Sequence, residues 1–187
     1  MKFLLLSVFL LSAIAQAAPI AEFEVCYDFG CKSKQSVDFN ETQWHSIRQI
    51  FTPPADNPLL EKQQIRRAIA LMEQYSGEIV GTAQDQGGNY NGVDIPFQQD
   101  CIDESTNTTH YLQALQRRNL FKWHQVTPRE RRIRWLFTHW TAVIQQINSG
   151  ELFAVDSWYR DNGEPPYIQK LEDWRRKLDF PTTLNPD

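Results

Sequence analysis

The apolar pattern of this 187-residue chain changes period once. As far as Leu115 apolar side chains recur every three or four positions, and from Leu120 onward they alternate. Helical segments gathered before strand segments argue for an α+β fold, because a parallel α/β sheet needs the two kinds interleaved along the chain.

The helical part divides at its caps. "NETQWHSIRQIF" (Asn40 to Phe51) begins on a capping Asn with Gln43 three residues later, and Trp44, Ile47 and Phe51 fall on one face. "TPPADNP" interrupts, and a longer helix is predicted over Leu59 to Gly81 with Ile65, Ile69, Met72 and Ile79 on its buried side. The next twenty residues, "GTAQDQGGNYNGVDIPFQQD", hold four of the eight glycines and no period, so they read as a long loop of the functional kind. Asp100 then caps a helix that opens on Cys101 and places Ile102, Tyr111, Leu112 and Leu115 inward. Its first turns are polar and Thr-rich, so packing must supply what propensity does not.

Beyond it, "LFKWHQV" (Leu120 to Val126) alternates as a strand, and Arg134 to Tyr159 reads as two strands joined at Asn148-Ser149-Gly150. "RDNGEPPY" is a turn and "LEDWRRKL" a short terminal helix. The expected architecture is therefore N-terminal helices and a Cys-bearing helix packed on a small antiparallel sheet.

Residues 1–17, "MKFLLLSVFLLSAIAQA", have one early Lys, an apolar run and small residues at Ala15 and Ala17, the pattern of a secretory signal peptide. The run is short of the roughly 20 residues needed to span a bilayer, so no membrane anchor is expected after cleavage. Residues 18–187 are expected to form one domain, periplasmic or secreted. A formal net charge of −4 argues against a nucleic-acid partner. The one basic run, "RERRIR" (Arg129 to Arg134), reads as a solvated helix face or loop, or else as a patch for an acidic ligand.

Export implies an oxidising compartment in which thiols pair. In "CYDFGC", Cys26 and Cys31 can close a small disulfide loop around Gly30, which leaves Cys101 over. A leftover thiol is a buried inert group, a bridge to another chain, or a nucleophile. At a helix start it feels the positive end of the dipole, while Asp103 and Glu104 in the first turn oppose a thiolate. The chain also offers a base and an orienting acid: His139 lies in the first strand of the hairpin and Asp156 in the second. The cross-strand partner of His139 falls around residues 157–160, so register decides whether the two meet. His45, His110 and His124 lack close ligand spacing, and no metal is expected. "NET" at Asn40 and "NTT" at Asn107 match glycosylation sequons.

A Cys opening a helix, a strand after it, "THWTAVI" with His139 and "LFAVDSW" with Asp156 together resemble the core of the transglutaminase-like superfamily, within the wider papain-like group of thiol enzymes. The likeness spans Gln98 to Tyr159. It implies a Cys101 nucleophile, a His139 base and an Asp156 orienter acting by acyl transfer on peptide or protein amides without a cofactor. "FQQD" stands where that family carries Trp and Gly before its nucleophile, and Gln98 or Gln99 is the candidate oxyanion donor. The competing expectation is a non-catalytic secreted or periplasmic binding or assembly module that retains the same fold.

Overall fold

The computed structural model describes residues 22–134, 137–181 and 185. The signal-peptide residues 1–17 and Trp135 lie outside that set.

A small hairpin comes first: β1 (Phe23–Tyr27) pairs antiparallel with β2 (Ser33–Val37). The sequence reading had placed only a stapled loop here. The Cys26–Cys31 disulfide is present and closes the turn between the two strands, where Gly30 takes a φ of 73°. The hairpin is short and polar in β2, so no alternating apolar run announced it.

Helix α1 (Glu41–Ile50) starts on Asn40, whose side chain accepts from the Gln43 amide while the Gln43 side chain accepts from the Asn40 amide. Helix α2 (Pro58–Val80) has Asn57 as its cap, Pro58 in the first turn and Gly81 in the left-handed region just past its end, at φ 103°. Ile65, Ile69 and Met72 are buried as expected, but Ile79 is 41% exposed. The end of α2 still buries Ser76, Gly77 and Val80, so Ile79 lies on its outward side.

Helix α3 (Cys101–Arg117) is held at its start by Asp100, which accepts from the Ile102 and Asp103 amides, each at 2.9 Å. Its polar early turns are buried because they tie elements together. Asn107 accepts from the Cys26 amide (2.7 Å) and donates to the Cys26 carbonyl (2.9 Å), closing α3 onto β1 as a strand neighbour would. At 2% exposure, Asn107 is shut away from any glycan, whatever its sequon.

Four strands follow in sequential antiparallel order: β3 (His124–Arg134), β4 (Phe137–Gln146), β5 (Leu152–Asp156) and β6 (Tyr167–Lys170). Strand β3 starts at His124 rather than Leu120, because Glu61 on α2 captures the amides of Lys122, Trp123 and His124 and keeps the approach out of the sheet. It ends at Arg134, so the basic run lies on a sheet-edge strand and not on the helix or loop expected. The register shifts between Thr127 and Glu130, beside Pro128, which an edge strand tolerates.

The sheet is covered on both faces. Ala142, Ile144, Phe153, Val155 and Ile168 face α1, α2 and α3 in the main core. Val143 and Ala154 face the other way, against Leu171 and Trp174 of the terminal helix α4 (Leu171–Arg176). β3 and β4 run on past the end of β5, leaving one side of β4 unpaired around residue 139.

Candidate active site

His139 and Asp156 come together through strand register. Ala142 pairs with Val155, so Asp156 stands opposite Thr141 and one diagonal step from His139 on the same face. The imidazole Nε2 meets Asp156 Oδ2 at 2.7 Å. The indole Nε1 of Trp174 donates to the same oxygen, also at 2.7 Å. Asp156 is 1% exposed, so both bonds act in a site cleared of water. A carboxylate at Nε2 calls for the proton on that nitrogen, which leaves Nδ1 as an acceptor.

Three rings confine the imidazole: Trp158 at 5.0 Å, Tyr159 at 5.2 Å and Trp174 at 5.6 Å between centroids. On β3, Arg132 is the direct partner of His139. Its guanidinium donates to the Trp174 carbonyl and, at 2.8 Å, to the Tyr159 hydroxyl, and lies 4.4 Å from the Trp174 ring. One arginine thus braces two of the three rings around His139.

Cys101 reaches the same place from the opposite side of the sheet. Its Sγ is 3.8 Å from the Thr138 carbonyl and accepts from the Trp140 amide, so the sulfur sits against the β4 backbone on either side of His139. That is the stretch of β4 without a β5 partner, and the thiol occupies the vacated sheet position. Burial pushes the Cys101 thiol up to about 11, with the charges of Asp100 and Asp156 adding to the rise and the Trp140 amide opposing it. Desolvation therefore outweighs the helix dipole that the sequence reading had set against two first-turn acids.

Cys101, Thr138 and His139 line one cleft of about 760 Å³. Tyr90 and Val93 from the glycine-rich loop, Phe29 of the β1–β2 turn, and Arg134 and Phe137 at the β3–β4 junction also line it. The loop is pinned where it passes the chain after β5. Gly88 N donates to the Trp158 carbonyl at 2.7 Å, and a Cβ on Gly87 would come within 2.6 Å of the Arg160 backbone. Glycine is required there by the closeness of that approach.

Gln98 and Gln99 are spent elsewhere. The Gln98 amide donates to the Gln84 carbonyl (3.0 Å) and its oxygen accepts from Asn89 (2.6 Å). Gln99 donates to the Cys26 carbonyl at 2.9 Å. Both are buried and neither lines the cleft.

Behind Asp156 lies a group of buried acids. Burial raises Glu73 to about 8 and Asp85 to about 7, and lifts Glu104 well above the usual carboxyl range with help from the charges of Glu73 and Asp85. Asp103 is likewise raised to about 7 by burial. Glu73 and Thr108 hydrogen-bond Ser157, the residue after Asp156, and so steady the turn that carries Trp158.

Two of the three histidines outside the cleft are occupied separately, His124 with Glu61 and His110 with the Glu24 carbonyl. Cys26, Cys31 and Asp103 approach within ligand spacing, but the two sulfurs are joined and Asp103 accepts from the Cys31 amide at 2.5 Å. Trp174 and Arg132 were not singled out in the sequence. A tryptophan in "LEDWRRKL" signals a buried helix face, yet nothing in the pattern points its N–H at an acid two elements back in the chain.

No protein-family model, characterised protein or solved structure matches this chain. Among the described residues no helix is long and apolar enough to cross a membrane.

Proposed function

We propose that this protein is an exported thiol hydrolase or acyltransferase with a transglutaminase-like core, acting on peptide or protein amides through Cys101, His139 and Asp156. The observation that carries the reading is the imidazole fixed by a buried carboxylate while the free thiol of Cys101 rests against the Thr138 carbonyl and Trp140 amide that flank that histidine, at an open cleft. The leader-like residues 1–17 and the Cys26–Cys31 disulfide support an oxidising compartment outside the cytoplasm.

At rest the thiol is protonated. As Sγ bonds to the substrate carbonyl carbon, its proton passes to His139 Nδ1, and Asp156 stabilises the imidazolium that forms. The carbonyl oxygen takes the displaced electron pair, and the Cys101 amide, in the open first turn of α3, is the donor placed to receive it. The tetrahedral centre then collapses, the C–N bond breaks, and the imidazolium returns its proton to the departing amine. Water or a second amine attacks the thioester and restores the thiol. The choice between hydrolysis and transfer rests on which of these reaches the cleft.

The test uses an activated acyl donor. Incubation with p-nitrophenyl acetate should release a burst of one equivalent of nitrophenolate and leave an acetyl group on Cys101, seen by intact mass and peptide mapping. The burst should vanish in Cys101→Ala and slow strongly in His139→Ala. An absent adduct on Cys101, or one that forms equally fast in His139→Ala, overturns the reading in favour of a binding module.

A further inference from the structure

The lining of the cleft holds more cations than acids. Over the whole sequence acids outnumber Lys and Arg, 23 to 19. Several surface cations are neutralised locally, among them Arg118 by Glu22, Arg160 by Glu164, Lys170 by Glu151 and Arg175 by Glu130. Arg134 and Lys177 differ. Both line the cleft, and among the described residues neither side chain has a hydrogen-bond or ion-pair partner. Arg132 adds a third positive charge to the lining, although its donors are turned to Trp174 and Tyr159. Asp100 is the one acid lining the cleft, and it is held by the α3 amides.

The neutral part of the lining is apolar and open to solvent. Tyr90 is 67% exposed and Phe137 73%, and both line the cleft. Exposed aromatic side chains flanking unpaired cations make a site for a chain that presents an apolar group beside an anion.

We propose that the cleft selects an acidic peptide, one whose carboxylate is drawn to Arg134 and Lys177 while an apolar neighbour packs between Tyr90 and Phe137. The inference rests on the thiol-enzyme reading for the word substrate, but the field it invokes acts on any reagent that approaches Cys101. Unpaired cations at a cleft mouth raise the local concentration of anions, and the effect weakens as salt shortens the screening length to about 10 Å at 0.1 M.

The experiment compares alkylation of Cys101 by iodoacetate, an anion, and iodoacetamide, its neutral counterpart, in the full chain at low ionic strength. A small cysteine peptide gives the reference ratio of the two rates. The ratio for Cys101 should exceed the reference by about two- to fivefold for each cation, the range that exposed charges supply. It should return towards the reference in 0.5 M salt, a concentration at which the screening length falls to about 4 Å. Arg134→Gln with Lys177→Gln should remove it while leaving the iodoacetamide rate unchanged. Both side chains extend into the cleft without partners, so the double variant is expected to fold, and an unchanged melting temperature checks this. A wild-type ratio equal to the reference overturns the proposal, as does a raised ratio that the double variant keeps. Slow reaction with both reagents counts against the thiol-enzyme reading alone, since the ratio is still measurable and still decides the charge preference.

Discussion

His139→Ala isolates what the imidazole does for Cys101. With burial holding the thiol at about 11, only about 0.03% is thiolate at about pH 7.5, against about 9% for a free cysteine near 8.5. Population alone makes the buried sulfur about 300-fold slower. A more basic thiolate is also a better nucleophile, and a Brønsted slope of about 0.45 over about 2.5 units returns roughly tenfold of that. The His139→Ala variant should therefore react with a neutral disulfide such as dithiodipyridine about 20-fold more slowly than a free cysteine peptide. Its rate should climb tenfold per pH unit from about pH 6 to about pH 9, because the thiolate fraction then rises by direct ionisation and no other imidazole lines the cleft among the described residues. The wild type should react at least as fast as the peptide and level off near neutrality. Stopped-flow absorbance of the released thiopyridone follows both. Equal rates and slopes in wild type and variant would refute the coupling of thiol to imidazole. A variant that reacts like the free peptide would refute the desolvated thiol.

Trp174→Phe keeps the ring against His139 but deletes the donor to a fully buried carboxylate, so it should cost about 1.5–3 kcal/mol in chemical denaturation and also slow the acylation burst; a burst unchanged at equal folded fraction would make Trp174 merely structural. Glu73, Asp85 and Asp103 have carboxyls raised on folding to about 8, 7 and 7, and Glu104 is raised well above the usual carboxyl range, so the folded chain holds extra protons above the unfolded values of about 4. The stability contribution of the first three is complete at about pH 4 and is lost as pH rises through about 7 to 8. The melting temperature should fall across that window and flatten in Glu104→Gln, and a rise instead would show that these acids are not held protonated. Replacing Cys31 by Ser opens a short loop and should lower stability by about 2 kcal/mol, read from the urea midpoint at constant slope.

The sequence by itself determined the order of elements from α1 to β5, the α+β class and the pairing of Cys26 with Cys31, but not the β1–β2 hairpin or β6. Caps and period act over a few residues: Asn40 with Gln43, Asn57 with Pro58, and Asp100 before Cys101 each fixed a helix start from local chemistry. The hairpin turn at Asn148 to Gly150 was legible for the same reason. His139 and Asp156 could be named because they fall on neighbouring strands of that hairpin. Only the tertiary structure decided that they touch, since a slip of one residue would have put one of them on the other face. It also decided what no local pattern encodes. Glu61 delays the start of β3, Gln98 and Gln99 are drawn away to distant carbonyls, and Trp174 returns from the last helix to share the Asp156 oxygen with His139. The Cys101 thiol is governed in the same way. A helix start favours its thiolate through a field that the sequence can supply, but the burial that outweighs that field is made by strands, turns and a loop far away in the chain. Desolvation depends on everything within a few ångströms of the sulfur, and which atoms those are is settled only when the chain has closed around it.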